Sequence, residues 1–252
     1  MHILVANDDG FDAPGINILA QSLEEQHHKV TMVAPRDNKS GCGMGISLRR
    51  DIEVERYADR RFKVAGTPVD CVYLGLNCLL DEPVDLVLSG INNGPNLASD
   101  VLYSGTFAAA MEARHLAGPA IAMSITTREV SHYDTAARLA IDLVNSLSGL
   151  AFKSLISVLN VNLPDVPMME LRGYKATLLG DRVAPLTPNM VAGDKNKGIY
   201  NLGKAGDFVR RKRNKMQDFE AVEQGYASIT PLSSRYEDSA YVDDVQKWLD
   251  TL

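Results

Sequence analysis

A three-layer αβα fold on a Rossmann-like, mostly parallel sheet is the α/β class that this chain predicts, and three observations predict it. Short apolar runs recur through the first two thirds of the 252 residues, and stretches with helical spacing of apolar side chains separate most of them. Two of the runs, at 85–90 and 120–124, are apolar enough to be covered on both faces, as parallel strands usually are. Residues 46–64 instead alternate in places, which adds a small antiparallel excursion at the rim.

Taken in order, residues 3–6 read as the first strand. Asp12 and Pro14 suit a helix start, and Ile16, Leu19 and Leu23 give that helix its buried face. Residues 30–34 form the next strand, ended by Pro35. Within 46–64 the alternating residues are Ile46, Leu48, Ile52, Val54, Phe62 and Val64. Thr67 caps a helix whose first turn holds Pro68, and Val69, Val72, Tyr73, Leu76 and Leu80 form its stripe. After the strand at 85–90, residues 104–116 place Phe107, Met111 and His115 at helical spacing. His115 reads there as a packed or hydrogen-bonded structural histidine. A strand at 120–124, a helix at 133–147 and a strand at 155–162 follow. Residues 180–226 are polar, glycine-containing and basic, and are expected to form an extended arm or oligomerisation excursion. The core then comprises 1–179 and 227–252. It resumes with a strand at 227–232 and ends in a helix with an apolar face of Val242, Val245, Trp248, Leu249 and Leu252.

The chain carries 26 basic and 32 acidic residues, a formal charge of −6. That balance argues against a DNA or RNA duplex or an anionic membrane as partner and leaves room for a small phosphorylated ligand. Cys42, Cys71 and Cys78 stand at no zinc-like spacing, and Cys71 is expected to be a small buried hydrophobe. With no secretory signal at 1–30 and no apolar run near 20 residues, a cytoplasmic setting is expected.

The chemistry gathers in three loops. Asp8 and Asp9 precede Gly10 at the end of the first strand, where an open parallel sheet collects ligands. An Asp-Gly step is also a common turn former, so a plain turn stands beside metal binding. Two close carboxylates repel unless protonated or neutralised, and a divalent ion removes the conflict. The second loop, 89–96, carries Asn92, Asn93 and Asn96, amides able to serve a hard cation or a phosphate or simply to brace the loop. It leads to Tyr103-Ser104-Gly105-Thr106 at a helix start, where free backbone N–H groups form an anion site and Ser104 is alternatively a plain cap. The third loop, 36–41, offers Ser40 as a neutral oxygen, with Arg36 or Lys39 able to attract phosphate or to form an ordinary charged turn. Anionic oxygens for a metal beside donors for an anion are what metal-assisted phosphoryl transfer to water requires. The basic run Arg210-Arg211-Lys212-Arg213 with Lys215 reads as a solvated face or as a positive flap.

The combination resembles the SurE family of survival-protein nucleotidases. Matching segments are Asn7-Asp8-Asp9-Gly10, Asn38-Lys39-Ser40-Gly41, Gly66-Thr67-Pro68, Ser89-Gly90-Ile91-Asn92 through Asn96, Asp100 with Tyr103-Ser104-Gly105-Thr106, residues 160–164, and Gly225-Tyr226 with 228–232. The resemblance implies that Asp8, Asp9, Ser40 and Asn92 bind one divalent ion, Mg2+ or Mn2+. It implies that Asn96, Ser104, Gly105 and Thr106 hold phosphate, with Asp8 or Asp9 orienting the attacking water or relaying its proton. The implied substrates are 5′ and 3′ nucleoside monophosphates and short polyphosphate, and the implied assembly is a homodimer or homotetramer. A short-chain exopolyphosphatase or other phosphomonoesterase is the nearer alternative, and a noncatalytic nucleotide-binding regulatory protein the more distant one. The chain departs from the family pattern at Arg36-Asp37, at Ala98-Ser99 and over 181–217.

Overall fold

The computed structural model describes residues 1–147, 156–194, 196–203, 205–235 and 241–250. In chain order the elements begin with β1 (His2–Ala6), α1 (Pro14–Glu25), β2 (Lys29–Pro35), β3 (Val54–Ala58), β4 (Arg61–Val64), α2 (Pro68–Asn77) and β5 (Leu86–Asn93). A one-turn 3-10 helix (Ala98–Leu102), α3 (Gly105–Glu112), β6 (Ala120–Ile125), α4 (Tyr133–Ser146) and β7 (Val158–Leu163) complete the main run. The remainder is β8 (Tyr174–Ala176), β9 (Asp181–Arg182), β10 (Asn189–Gly193), β11 (Gly198–Asn201), β12 (Phe208–Val209), α5 (Asp218–Glu223), β13 (Ala227–Leu232) and α6 (Val242–Leu249).

Nine strands form one sheet in the order β3-β4-β2-β1-β5-β6-β7-β13-β8. From β4 to β7 every pairing is parallel. β3 runs antiparallel to β4, and β13 antiparallel to β7, so the reversals lie outside the central strands. Helices α1 and α4 pack on one face around Ile16, Leu19, Leu23, Leu139 and Val144. Helices α2 and α3 cover the other around Cys71, Val72, Phe107 and Met111. Burying each such large side chain stabilises the fold by roughly 1.5–3 kcal/mol. The expected three-layer architecture is therefore the observed one.

Local chemistry sets several boundaries. In α2, Asp70 N donates to Thr67 Oγ1 at 3.1 Å while Thr67 N donates to Asp70 Oδ2 at 2.8 Å, a reciprocal cap that satisfies two helix-end donors. The inward face of this helix carries Cys71 and Gly75, whereas Tyr73, expected in the stripe, is exposed because the stripe is narrower than its spacing implied. Asp12 does not cap α1. Its carboxylate pairs with Lys63 at 3.1 Å, and Pro14 alone marks the helix start. α3 ends at Glu112, so His115 lies beyond it and is exposed rather than packed. Leu155 and Leu252 lie outside the described residues.

Outside the sheet, β12 pairs antiparallel with β9, and two further parts of the described chain are exposed. The β10–β11 hairpin is exposed along both strands, and α6 forms with none of its residues buried in the chain, so its apolar face is turned to solvent. By contrast Gln217, Asp218, Phe219 and Ala221, inside the stretch expected to be an excursion, are buried. α5 has only six residues, too few for a periodic signal to show. No helix among the described residues is long and apolar enough to cross a membrane.

Candidate active site

The parallel strands deliver their carboxyl ends to one cleft of about 590 Å³, which lies in the size range of small-molecule sites. β1 leads into the turn that carries Asp8 and Asp9. Asn7, fully buried, closes that turn: its Nδ2 donates to Gly10 O at 2.8 Å and its Oδ1 accepts from Gly10 N at 3.3 Å. The turn reading and the ligand reading of Asp-Asp-Gly are thus compatible, since Asn7 makes the turn and leaves both carboxylates free of that duty.

Asp8 is 4% exposed and is gripped from α3, with Thr106 Oγ1 donating to its Oδ1 at 2.5 Å. Gly105 makes this approach possible, because a Cβ there would stand 2.7 Å from Asp8 Cβ and 2.9 Å from Asp8 Oδ2. Asp9 is held at Oδ2 by Asn93 N at 3.2 Å, and Asn93 Oδ1 accepts from Tyr133 OH at 2.7 Å. Burial pushes the Asp8 carboxyl above its usual range, with the Thr106 hydroxyl opposing the shift. Burial and then the neighbouring Asp8 charge push Asp9 up to about 6. Among the described residues neither carboxylate has a cationic partner close enough to offset these effects.

β5 reaches the cleft through an irregularity. Its register against β6 shifts between Ser89 and Asn92, a bulge of the kind that re-aims side chains. Gly90 is required there: it has φ +142°, and a Cβ would approach Met123 O to 2.5 Å. Beyond the bulge, Asn92 Nδ2 donates to Gly94 O at 2.8 Å, which assigns Oδ1 as the amide atom available to a cation. Asn96 is fixed more completely. Its N donates to Asn162 Oδ1 at 2.8 Å, its carbonyl accepts from Asn160 and Asn162, and its Nδ2 donates to Ser124 Oγ at 2.8 Å.

The third loop is tied to the first by Lys39 N donating to Asp8 O at 2.7 Å, and Ser40 lines the cleft. Arg36 does not line the cleft, and its guanidinium pairs instead with Glu53 at 2.9 Å. Ser104 lines the cleft and caps α3, its Oγ accepting from Phe107 N at 2.9 Å. Asp8, Asp9, Ser40, Asn92, Asn96 and Ser104 are thus brought to one surface. Gly105 and the fully buried Thr106 stand behind Asp8, away from that surface. Arg128 also lines the cleft, and the sequence reading missed it. A basic residue just past the carboxyl end of β6 was the available signal.

The donor set fits a hard divalent ion. Two desolvated carboxylates lie beside the neutral oxygens of Ser40 and Asn92, although among the described residues no group of three or more His, Cys, Asp or Glu is placed to hold a metal ion.

Comparison with known proteins places the whole chain in one family. Residues 3–185 match the family described as survival protein SurE. The chain is similar to the 5′/3′-nucleotidase SurE of Photorhabdus laumondii subsp. laumondii, with 43% identity covering 99% of this chain and 96% of that protein. It is also similar to the 5′-nucleotidase SurE of a Marinomonas species, at 41% identity over 100% and 99% of the two chains. Among solved structures, the SurE protein of Aquifex aeolicus superposes with a TM-score of 0.85 at 35% identity, covering 99% of this chain and all of that one. On the family match and on identity sustained along the full length, the chain belongs to the SurE family.

Proposed function

We propose that this chain is a divalent-metal-dependent 5′-nucleotidase that also hydrolyses 3′-nucleoside monophosphates. The observation that carries the reading is the pair of adjacent carboxylates, Asp8 buried and Asp9 half-buried, which among the described residues lack a cationic partner at the floor of a cleft rimmed by amide, hydroxyl and guanidinium donors. The names of the relatives support the substrate class.

Asp8, Asp9, Ser40 and Asn92 hold Mg2+ or Mn2+ in this reading. The ion, when bound, supplies charge neutralisation at the phosphoryl oxygens and activation of water. The protein's own part is positioning. Thr106 and Asn93 each fix one oxygen of a carboxylate, at Asp8 Oδ1 and Asp9 Oδ2, so the two groups cannot swing apart when charged. Asn96, its backbone clamped by Asn160 and Asn162, presents its side chain to the phosphate with Ser104. Arg128 adds a positive charge that attracts the dianion. Thr106 acts here through Asp8 rather than by touching phosphate.

The metal-free chain is expected to be inactive toward 5′ and 3′ nucleoside monophosphates and to gain turnover on adding Mn2+ or Mg2+. Phosphate release measured with and without chelator checks this. Turnover that survives complete chelation would reject the metal site, and cleavage of short polyphosphate with none of nucleotides would favour the exopolyphosphatase alternative.

We also propose a homodimer or homotetramer. The exposed apolar residues of α6, Val242, Val245, Trp248 and Leu249, and the exposed β10–β11 hairpin support it. Sedimentation should give at least twice the 27.5 kDa chain mass, and a purely monomeric profile at micromolar concentration would refute the assembly.

A further inference from the structure

The stretch between Asn96 and Ser104 carries site residues at both ends; it buries Leu97, Ala98 and Val101, while Leu102 and Tyr103 stay exposed. Its centre is the 3-10 helix Ala98–Leu102, which opens on Ala98 at φ +54°, a left-handed conformation that L-residues adopt reluctantly. Something must hold it there. Ala98 N donates to Asp218 Oδ2 at 2.7 Å, and the other oxygen of this fully buried carboxylate accepts from Gly180 N at 2.9 Å and Phe219 N at 2.8 Å.

A second tie lies one half-turn on. Asp100, which lines the cleft, receives Arg182 through two hydrogen bonds, Nε to Oδ1 at 2.8 Å and Nη2 to Oδ2 at 2.6 Å. A third nitrogen of Arg182 is also engaged: Nη1 donates to Gly206 O at 2.7 Å, and the guanidinium lies 3.9 Å from the Phe208 ring centroid. Phe208 in turn stacks on Phe219, next to Asp218, at 4.5 Å with 3° between the planes. The two ties are therefore joined into one rigid unit. That unit supplies no residue to the cleft, yet it is fastened to the wall that does.

We propose that Arg182 and Asp218 are positioning residues for the reaction, holding the helix Ala98–Leu102 so that Asp100, Tyr103 and Ser104 face the cleft while Arg182 cancels the Asp100 charge. The inference rests on the nucleotidase reading. Its physical content has two parts: the ties fix geometry, and the ion pair prevents a carboxylate on the cleft wall from repelling a phosphate dianion.

The test compares Arg182→Met, Arg182→Lys and Asp218→Asn with a control, Arg210→Met. The control also loses an ion pair to Glu223 and a contact with Phe219, but it touches neither Ala98 nor Asp100. Arg182→Met and Asp218→Asn are expected to speed amide hydrogen exchange selectively over 98–104. They are also expected to lower kcat/KM for a nucleoside monophosphate by about tenfold or more, as loss of a desolvated charge partner does elsewhere. In Arg182→Met the KM should rise. Adding Asp100→Asn should bring KM back toward wild type without restoring kcat, and Arg182→Lys should recover part of both. Wild-type exchange over 98–104 in folded Arg182→Met, or a loss of activity no larger than that of Arg210→Met, overturns the inference. An inactive wild type with accelerated exchange in the variants would instead reject the nucleotidase reading and keep the anchors.

Discussion

Asp9→Asn is expected to fold and to lose about 10³-fold in metal-dependent turnover, a barrier increase of about 4 kcal/mol. The substitution keeps the shape of the side chain and the acceptor that meets Asn93 N, so the turn built by Asn7 and Gly10 is preserved. What it removes is half of the negative charge that a divalent ion needs. A second signature follows from titration. The folded-state pKa of Asp9, about 6, lies above its usual value of 3.8 because burial and Asp8 disfavour its charge. In the metal-free protein the folded state therefore holds this proton more tightly than the unfolded state, and stability falls as pH rises from about 4 through about 6. Asn at position 9 does not titrate, so its contribution to that fall should vanish. Metal binding has the opposite dependence. The ion requires the carboxylate form, so affinity for Mn2+ should weaken as pH drops below about 6. Denaturation of both metal-free proteins between pH 4 and 8, with Mn2+ titrations over the same range, checks these signs. Turnover in Asp9→Asn within a few-fold of wild type would remove Asp9 from the site.

Gly105→Ala is expected to lower kcat by about 10²-fold, with a smaller change in stability of about 1–3 kcal/mol. The added methyl would meet Asp8 Cβ at 2.7 Å and Asp8 Oδ2 at 2.9 Å, distances real side chains do not tolerate. Asp8 is buried between α3 and the 36–41 loop, so it has little room to yield, and its 2.5 Å bond from Thr106 is lost or lengthened. Ala is otherwise the better helix former at this position, so the substitution separates crowding at Asp8 from any damage to α3 itself. Kinetics with unfolding midpoints decide the case. A folded Gly105→Ala enzyme with wild-type kcat would show that Asp8 is not confined as the geometry indicates.

Particular residues show how far the site was legible. Asp8, Asp9, Ser40, Asn92, Asn96 and Ser104 share one cleft because each lies at or beyond the carboxyl end of a strand or opens a helix, positions that periodicity and turn chemistry reveal. Thr106 was readable as a helix-start hydroxyl, but its direction was not, since one turn of helix decides whether it faces solvent or Asp8. Arg36 and Lys39 looked alike in sequence as phosphate attractors. Glu53, on a separate stretch of chain, claims Arg36, and no local rule foretells a partner seventeen positions away. The roles of Tyr133 and Asn162 were missed for the same reason, since they reach partners 40 and 66 positions away, whereas Arg128 carried the local signal of a basic residue just past β6.

The sequence by itself determined the order of the main strands and helices from β1 to β7, the mostly parallel sheet and the loops where chemistry gathers. Those features follow from hydrophobic period, caps and turn residues, which act over a few positions. Only the tertiary structure decided which donors grip which carboxylate, that Ser89 to Asn92 bulges so as to aim an amide oxygen into the cleft, and that Asp218 and Arg182 reach back to Ala98 and Asp100. These contacts join residues 98, 120 and 82 positions apart, and in each of them one buried or partly buried polar group finds its partner through packing of the whole chain.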